Sequence, residues 1–95
     1  MWQADVFELG QQTRIIWQIR PDGGSRYQFS NSNGISKNYG VWRFSDGIIF
    51  ESYPDGASAK GAIEWISSDH FELTVLDNGV PAYTGLKRNY YRLPL

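Results

Sequence analysis

The residues of this chain that could support acid–base or metal chemistry are one histidine and a few carboxylates. His70 is the only histidine, and it lies between Asp69 and Glu72. A persuasive zinc site needs several His or Cys ligands at characteristic spacings, and the chain has no cysteine and no paired histidine. We therefore expect no metal site and no cofactor, and we interpret His70 as a surface or strand-start residue.

Carboxylate chemistry is the alternative that the sequence leaves open. Glu51, Glu64 and Glu72 could meet across strands, and one buried member of such a pair could act as a general acid or base. The run Ser67-Ser68-Asp69-His70 lacks a nucleophile elbow, and neighbours in a strand point to opposite faces, so it is read as a turn. No glycine-rich loop opens a helix to hold a phosphate. A hydrolase using these carboxylates and His70 thus stays an alternative, and no catalytic residue is assigned.

Basic and aromatic residues interleave in the run Lys87-Arg88-Asn89-Tyr90-Tyr91-Arg92, as they do on single-strand-binding surfaces. The net charge of −1 provides no overall positive field, so we expect no nucleic-acid partner. The favoured interpretation is an amphipathic strand in which Tyr91 and Leu93 point inward. Lys87, Arg88, Tyr90 and Arg92, together with the terminal Trp2, would then form a surface for a protein partner.

Composition sets the class of the protein. Hydrophobic residues make up 41% of the 95 residues and aromatic residues 16%, which is typical of a folded chain and enough for one domain over residues 1–95. No apolar stretch approaches the ~18 residues of a membrane helix, and no leader pattern opens the chain. We expect a protein without membrane contact in the cytoplasm, with a mature secreted form as the alternative.

Short strands joined by tight turns are the dominant pattern. The turn signals are Asp22-Gly23-Gly24, Asn33-Gly34, Asp46-Gly47, Asp55-Gly56 and Asn78-Gly79. The segments between them are rich in aromatic and β-branched residues, and their spacing predicts about eight antiparallel strands. Only residues 2–12 could instead hold a short helix.

The hairpin around Asp46-Gly47 shows which side chains should face the core. A three-residue loop, Ser45-Asp46-Gly47, would set Phe44 opposite Ile48 and Trp42 opposite Phe50. The other face, with Arg43 near Glu51, would then be exposed and joined by an ion pair. Alternation elsewhere completes the set of residues expected to face inward: Trp17, Phe29, Trp42, Phe44, Phe50, Ile63, Trp65, Phe71 and Leu73.

A sheet with one apolar face and no helix to cover it must curl on itself. The fold class expected is therefore all-β, a small antiparallel up-and-down barrel or a strongly curled meander. The core of so short a chain is thin, and we expect a filled barrel without a large ligand chamber.

The chain resembles the lipocalin-like group of small bacterial calycin-type domains. The resemblance is a rhythm over most of the chain, carried by residues 15–23, Gly40-Val41-Trp42, Asp46-Gly47, residues 61–66, Phe71-Glu72-Leu73 and Tyr90-Tyr91-Arg92. Lipocalins themselves are longer and carry their Gly-x-Trp near the start, whereas here it lies in mid-chain. The resemblance implies an up-and-down β-barrel with an apolar ligand at its mouth.

These observations favour a non-catalytic binding or interaction module. In one version a small apolar ligand is held at the barrel mouth, with the inward-facing Trp17, Trp42 and Trp65 as candidate ligand-binding residues. In the other a protein partner docks on the surface formed by Trp2 and the Lys87–Arg92 strand. A homodimer formed through exposed strand edges is a further expectation.

Overall fold

Tight turns divide the chain into eight antiparallel strands, which close into an up-and-down barrel in the computed structural model, described over residues 1–94. The strands are β1 (Trp2–Glu8), β2 (Gln11–Ile19), β3 (Gly24–Asn31), β4 (Gly34–Ser45), β5 (Ile48–Ser52), β6 (Ser58–Ser67), β7 (His70–Asp77) and β8 (Lys87–Arg92). The predicted fold class, strand number and turn positions are confirmed, and the helix considered for residues 2–12 is wrong. Within residues 1–94 no helix has the length and apolar character needed to cross a membrane.

The two ends of the barrel differ in what fills them. The hairpin loops β2–β3, β4–β5 and β6–β7 lie at one end with the start of β1, and we call it the tryptophan end because all four Trp side chains are there. The other connections lie at the opposite end, called the mouth end. At the tryptophan end, Trp17 stacks on Tyr27 with ring centroids 4.9 Å apart and meets Tyr90 edge-on at 5.3 Å.

Trp2 is part of this aromatic core, which corrects the expectation that it lies at an exposed terminus. Only 7% of its surface is accessible. Its strand is paired on both sides, with Trp2 opposite Trp17 in β2 and opposite Arg92 in β8. Its ring packs edge-on against Phe71 at 4.7 Å, and the Arg92 guanidinium lies 4.5 Å from it. A terminal residue is buried here because the terminal strand closes the barrel.

The β4–β5 hairpin has a two-residue loop, so the three-residue loop expected from the sequence is wrong. Asp46 and Gly47 both have positive φ, 52° and 78°, as in a type I′ turn, and Ser45 pairs directly with Ile48. Removing one residue from the loop shifts β5 by one position and exchanges its two faces.

This one-residue shift corrects four side-chain positions. Ile48 and Phe50 face outward, and Ile49 and Glu51 face into the barrel. The expected Arg43–Glu51 ion pair on the surface is also wrong. Arg43 lies over the Phe50 ring instead, with 4.0 Å between guanidinium carbon and ring centroid.

The other residues expected to face inward do so to different degrees. Trp17, Phe71 and Leu73 are buried, and Phe29, Trp42 and Ile63 are partly buried against them. Phe44 and Trp65 share the inner face by register but lie at the rim of the tryptophan end, where 49% and 56% of their surfaces are exposed. The sequence pattern identified their face but not their distance from the end of the barrel.

Strand β8 has the opposite orientation to the one expected. Tyr90 pairs with the buried Phe71 and Arg88 with Leu73, so both point into the barrel. Tyr91 faces outward and stacks on His70 at 4.3 Å. Both faces of this strand carry aromatic and polar residues, and alternation alone therefore could not tell inside from outside.

Strand pairing is incomplete toward the mouth end. β4 is longer than β5, and its residues 34–40 pair with β3 on one side only within the part of the chain described. Over residues 1–94, β1 and β8 pair at two positions, Trp2–Arg92 and Gln3–Tyr91. The strand pairing of the wall is therefore continuous at the tryptophan end. Near the mouth it is interrupted between β1 and β8 and between β4 and β5, and we call these two interruptions seams.

Gly40 marks the point where β5 and β4 separate, and it provides a test of this packing. A Cβ at Gly40 would lie 2.5 Å from the Ser52 carbonyl oxygen and 2.8 Å from the Tyr53 ring. We expect Gly40→Ala to lower the free energy of unfolding by about 1–3 kcal/mol, as overpacking does. Urea unfolding measures this. Gly24→Ala is the control, since its Cβ would meet only the side chains of Asp22 and Arg20; equal losses for both variants would contradict the close approach at Gly40.

Candidate functional site: a cavity at the mouth end

The mouth half of the barrel contains a cavity of about 690 Å³, so the expectation of a filled barrel is wrong for this half. Small side chains occupy several inward positions here, whereas large aromatic rings occupy them at the tryptophan end. The lining includes Ser36 and Asn38 of β4 and Ala59 and Gly61 of β6. The cavity therefore arises from the uneven distribution of side-chain size along the barrel axis.

Glu51 is the central polar residue of the cavity. It is only 5% exposed, and both of its carboxylate oxygens accept hydrogen bonds. The Ser25 hydroxyl donates to Oε2 at 2.6 Å, and the Tyr27 hydroxyl donates to Oε1 at 2.7 Å. The Trp17 indole N–H in turn donates to Ser25 at 3.0 Å. The network connects the cavity to the aromatic core.

Burial raises the pKa of the Glu51 carboxyl above its usual range. The hydrogen bonds from Ser25 and Tyr27 and the positive charge of Arg88 act in the opposite direction but do not cancel the effect. Its direct hydrogen-bond partners are neutral hydroxyls, so burial remains the dominant influence on its pKa.

A second charged element, the Glu8–Arg88 pair, lies in the same cavity wall. The guanidinium makes two hydrogen bonds to the Glu8 carboxylate, at 2.9 and 3.0 Å, and the two side chains are only 10% and 13% exposed. Burial tends to lower the pKa of Arg88, but the hydrogen bonds to Glu8 raise it. The pair bridges β1 and β8 where their backbones are not paired, and thus closes one seam of the barrel.

Two more tyrosines extend this polar group. The Tyr90 hydroxyl is buried and has no hydrogen-bond partner among the described residues. Burial raises the pKa of Tyr90, and it likewise raises the pKa of Tyr53, with the negative charge of Glu51 adding to the effect on both. Arg88 opposes these shifts electrostatically, but its geometry toward Tyr90 is not that of a hydrogen bond. Both phenols therefore stay neutral near Glu51.

The tryptophans expected to bind a ligand lie elsewhere. Trp17, Trp42 and Trp65 are all at the tryptophan end, and none lines the cavity. The Trp42 indole N–H donates to the Arg20 carbonyl at 2.8 Å and so fastens the β2–β3 loop. The three residues fill or cover the barrel, and the mouth is built from other side chains.

The surface expected to bind a protein partner is not assembled either. Of its members, Trp2, Arg88 and Tyr90 point into the barrel, and Arg92 lies over the Trp2 ring. Only Lys87 faces outward, where it lies 3.6 Å from Glu72.

The groups considered for hydrolysis are separated by the barrel wall. Glu64 and Glu72 pair directly across β6 and β7 on the outer face, whereas Glu51 is inside. His70 is also outside, with its Nε2 2.8 Å from the Asn89 side-chain oxygen. Among residues 1–94 no three His, Cys, Asp or Glu side chains gather into a metal-binding group.

The polar residues of the cavity were missed as a set by sequence reasoning. A three-residue loop at Asp46-Gly47 predicts Glu51 on the solvent face, whereas the two-residue loop observed places it inside. An Asp-Gly pair is a strong signal for a two-residue turn, and it would have placed Glu51 inside. No local signal links Glu8 to Arg88, which are 80 positions apart.

Comparison of the chain with protein-family models, with curated proteins and with solved structures returned no match. The geometry of the cavity is therefore the guide to function.

The raised pKa of Glu51 predicts how stability depends on pH. Its carboxyl binds a proton more readily in the folded protein than in the unfolded chain, so folding is favoured while it is protonated. That stabilisation is lost as the pH rises through the raised pKa. The free energy of unfolding of the wild type, relative to Glu51→Gln, should therefore fall as the pH rises from the ordinary glutamate value of 4.5 through the raised pKa.

Urea unfolding across this pH range measures the difference. Glu64→Gln, on the exposed outer wall, is the control. Salt of about 0.3 M screens the repulsion between Glu64 and Glu72 in the wild type, so that removing the Glu64 charge has little effect of its own. The Glu64 variant should follow the wild-type pH curve. A wild-type curve parallel to that of Glu51→Gln would contradict the raised pKa.

Proposed function

We propose that this protein is a non-catalytic binding protein that takes up a small, largely apolar molecule through the mouth end of its barrel. The observation that supports this is the cavity of about 690 Å³, which lies within the roughly 300–1,000 Å³ of small-molecule pockets. Its wall mixes apolar and aromatic side chains with polar and charged ones in similar proportion, so that a ligand would make both apolar contacts and hydrogen bonds.

The arrangement of the cavity supports entry of a ligand through the mouth end only. Ile15, Phe29, Leu73 and Val75 supply apolar wall, and the stacked rings at the tryptophan end form the floor beyond it. The strands around the cavity belong to one closed barrel, and the Glu8–Arg88 pair joins β1 to β8 beside the cavity, so most of the site is preformed before a ligand binds.

We also infer that the chain is a small barrel of the calycin type. The closed up-and-down order of eight strands and the location of the cavity at one mouth support this inference. Catalysis is less well supported, because Glu51 is the one fully buried carboxylate of the cavity in the described residues, and the third cavity carboxylate, Asp55, is exposed at the rim. The second buried carboxylate, Glu8, is occupied by Arg88.

Narrowing the mouth tests the binding function. Gln11 lines the cavity, whereas its neighbour Gln12 is exposed on the outer face. We expect Gln11→Trp to weaken binding of the neutral fluorescent probe N-phenyl-1-naphthylamine at least about tenfold, since a ring at the rim occupies space that the probe must cross.

Gln12→Trp is the matched control and should bind the probe as the wild type does. Probe fluorescence measures affinity, and methyl NMR signals of Leu73 and Val75 report its location. Equal affinities in all three proteins, or signals that move only at the tryptophan end, would refute a cavity site.

Association with a second copy is a further candidate function, and the free edge of β4 favours it. An antiparallel pair of two copies centred on Lys37 would set Ile35 against Tyr39, two outward residues that are 67% and 53% exposed. The same pair sets Lys37 against Lys37, and such a lysine is a common guard against edge pairing. Apolar contact and charge repulsion therefore oppose each other at this edge.

Light scattering across a tenfold concentration range tests this pairing. We expect Lys37→Thr to form dimers at lower concentration than the wild type, and salt of about 0.5 M to promote wild-type association by screening the lysines. Lys60→Thr, on a strand paired on both sides, is the control and should not change the mass. A constant monomer mass for Lys37→Thr at all concentrations would exclude edge pairing.

A further inference from the structure

We propose that the ligand of the mouth cavity is an organic cation, a small molecule with an ammonium group on an apolar, preferably aromatic body. The proposal depends on the binding function above and specifies its ligand. It follows from the charges of the cavity, from its unused hydrogen-bonding atoms and from the tyrosines around Glu51.

The inner wall of the cavity carries one negative charge without a direct cationic partner. Glu8 and Arg88 neutralise each other through two hydrogen bonds. Glu51 receives hydrogen bonds only from the neutral hydroxyls of Ser25 and Tyr27. A buried carboxylate without a cation in contact is costly, and an entering ammonium group would recover part of that cost.

The remaining charged residues of the lining do not change this balance. Lys37, Asp55 and Lys60 lie at the rim and are exposed, so solvent screens them from the interior. An anionic ligand would find the Arg88 guanidinium already engaged by Glu8 and would lie near the Glu51 carboxylate. The wall therefore disfavours anions.

The free hydrogen-bond acceptors of the cavity match the N–H donors of an ammonium group. Each oxygen of Glu51 accepts one hydrogen bond and keeps capacity for another. The Tyr90 hydroxyl, also in the lining, has no partner among residues 1–94 and can accept as well. An ammonium group donates three hydrogen bonds, so carboxylate and phenol together could satisfy most of them.

The aromatic surroundings favour a cation further. Tyr27, Tyr53 and Tyr90 line the cavity, and the charge of Glu51 acts on all three. Phenol rings attract a desolvated cation through their π faces. The same rings would pack against the apolar body of the ligand.

Protonation of Glu51 should make the affinity for an ammonium ligand depend on pH in a defined direction. The groups that face Glu51 are Tyr27 from β3, Tyr53 after β5, Arg88 and Tyr90 from β8, and Glu8 from β1 through Arg88. Burial raises the pKa of each tyrosine, and Arg88 stays charged, so Glu51 itself is the group that titrates. Ammonium affinity should fall as the pH falls through the raised pKa of Glu51, because a protonated carboxyl no longer attracts a cation.

Three probes of similar shape test the charge preference: phenethylamine, 2-phenylethanol and 3-phenylpropionate. Titration calorimetry at neutral pH should show the amine binding at least about tenfold more tightly than the alcohol, and the carboxylate binding most weakly. In Glu51→Gln the amine should lose this advantage, while the alcohol keeps its affinity. Glu64→Gln, on the outer wall, should preserve the wild-type order. Circular dichroism confirms that each variant is folded.

The outcomes separate this inference from the function on which it depends. If the alcohol or N-phenyl-1-naphthylamine binds and the amine has no advantage, the cation preference is overturned and the binding function stands. An advantage that persists in Glu51→Gln also overturns it, because the carboxylate is then not the determinant. If none of the four probes binds the wild type, both proposals fail.

Discussion

The burial of Glu51 is the constraint on which the site depends. A carboxylate in an aromatic barrel must have its oxygens satisfied, and here Ser25 and Tyr27 do so at 2.6 and 2.7 Å. Trp17 extends the network by holding Ser25. These bonds join the core to the cavity wall, so the group that is costly to bury also determines what the cavity can accept.

The two ends of the barrel have different roles: the tryptophan end supplies most of the packing, and the mouth end holds the cavity. At the tryptophan end, rings of Trp2, Trp17, Phe71 and Tyr90 contact one another and exclude solvent. At the mouth end, small residues such as Ser36 and Ala59 leave space, whereas at Gly61 the Leu73 side chain occupies the position where a Cβ would lie. A chain of 95 residues can hold a cavity because one half supplies most of the packing.

The two seams of the wall, between β1 and β8 and beside β4, differ in whether side chains bridge them. Between β1 and β8 the Glu8–Arg88 pair replaces missing backbone pairing, and its burial and two-bond geometry make it stronger than a surface ion pair. Beside β4 the edge has no second partner strand in the described part of the chain, and Lys37 lies at its middle. The first seam is closed within the chain, whereas the second is open to association.

The sequence by itself determined the fold class, the strand number and the main turns, because these depend on local preferences such as Gly at positive φ and alternating side chains. It identified Trp17, Phe71 and Leu73 as core residues for the same reason. The face of β5 depends on the length of the Asp46-Gly47 loop, for which the Asp-Gly pair is a local signal. Tertiary structure alone decided which face of β8 lies inside, since both faces of this strand carry aromatic and polar residues. It also decided the cavity, because the contact of Arg88 with Glu8 and the space beside Glu51 arise only when distant strands close the barrel.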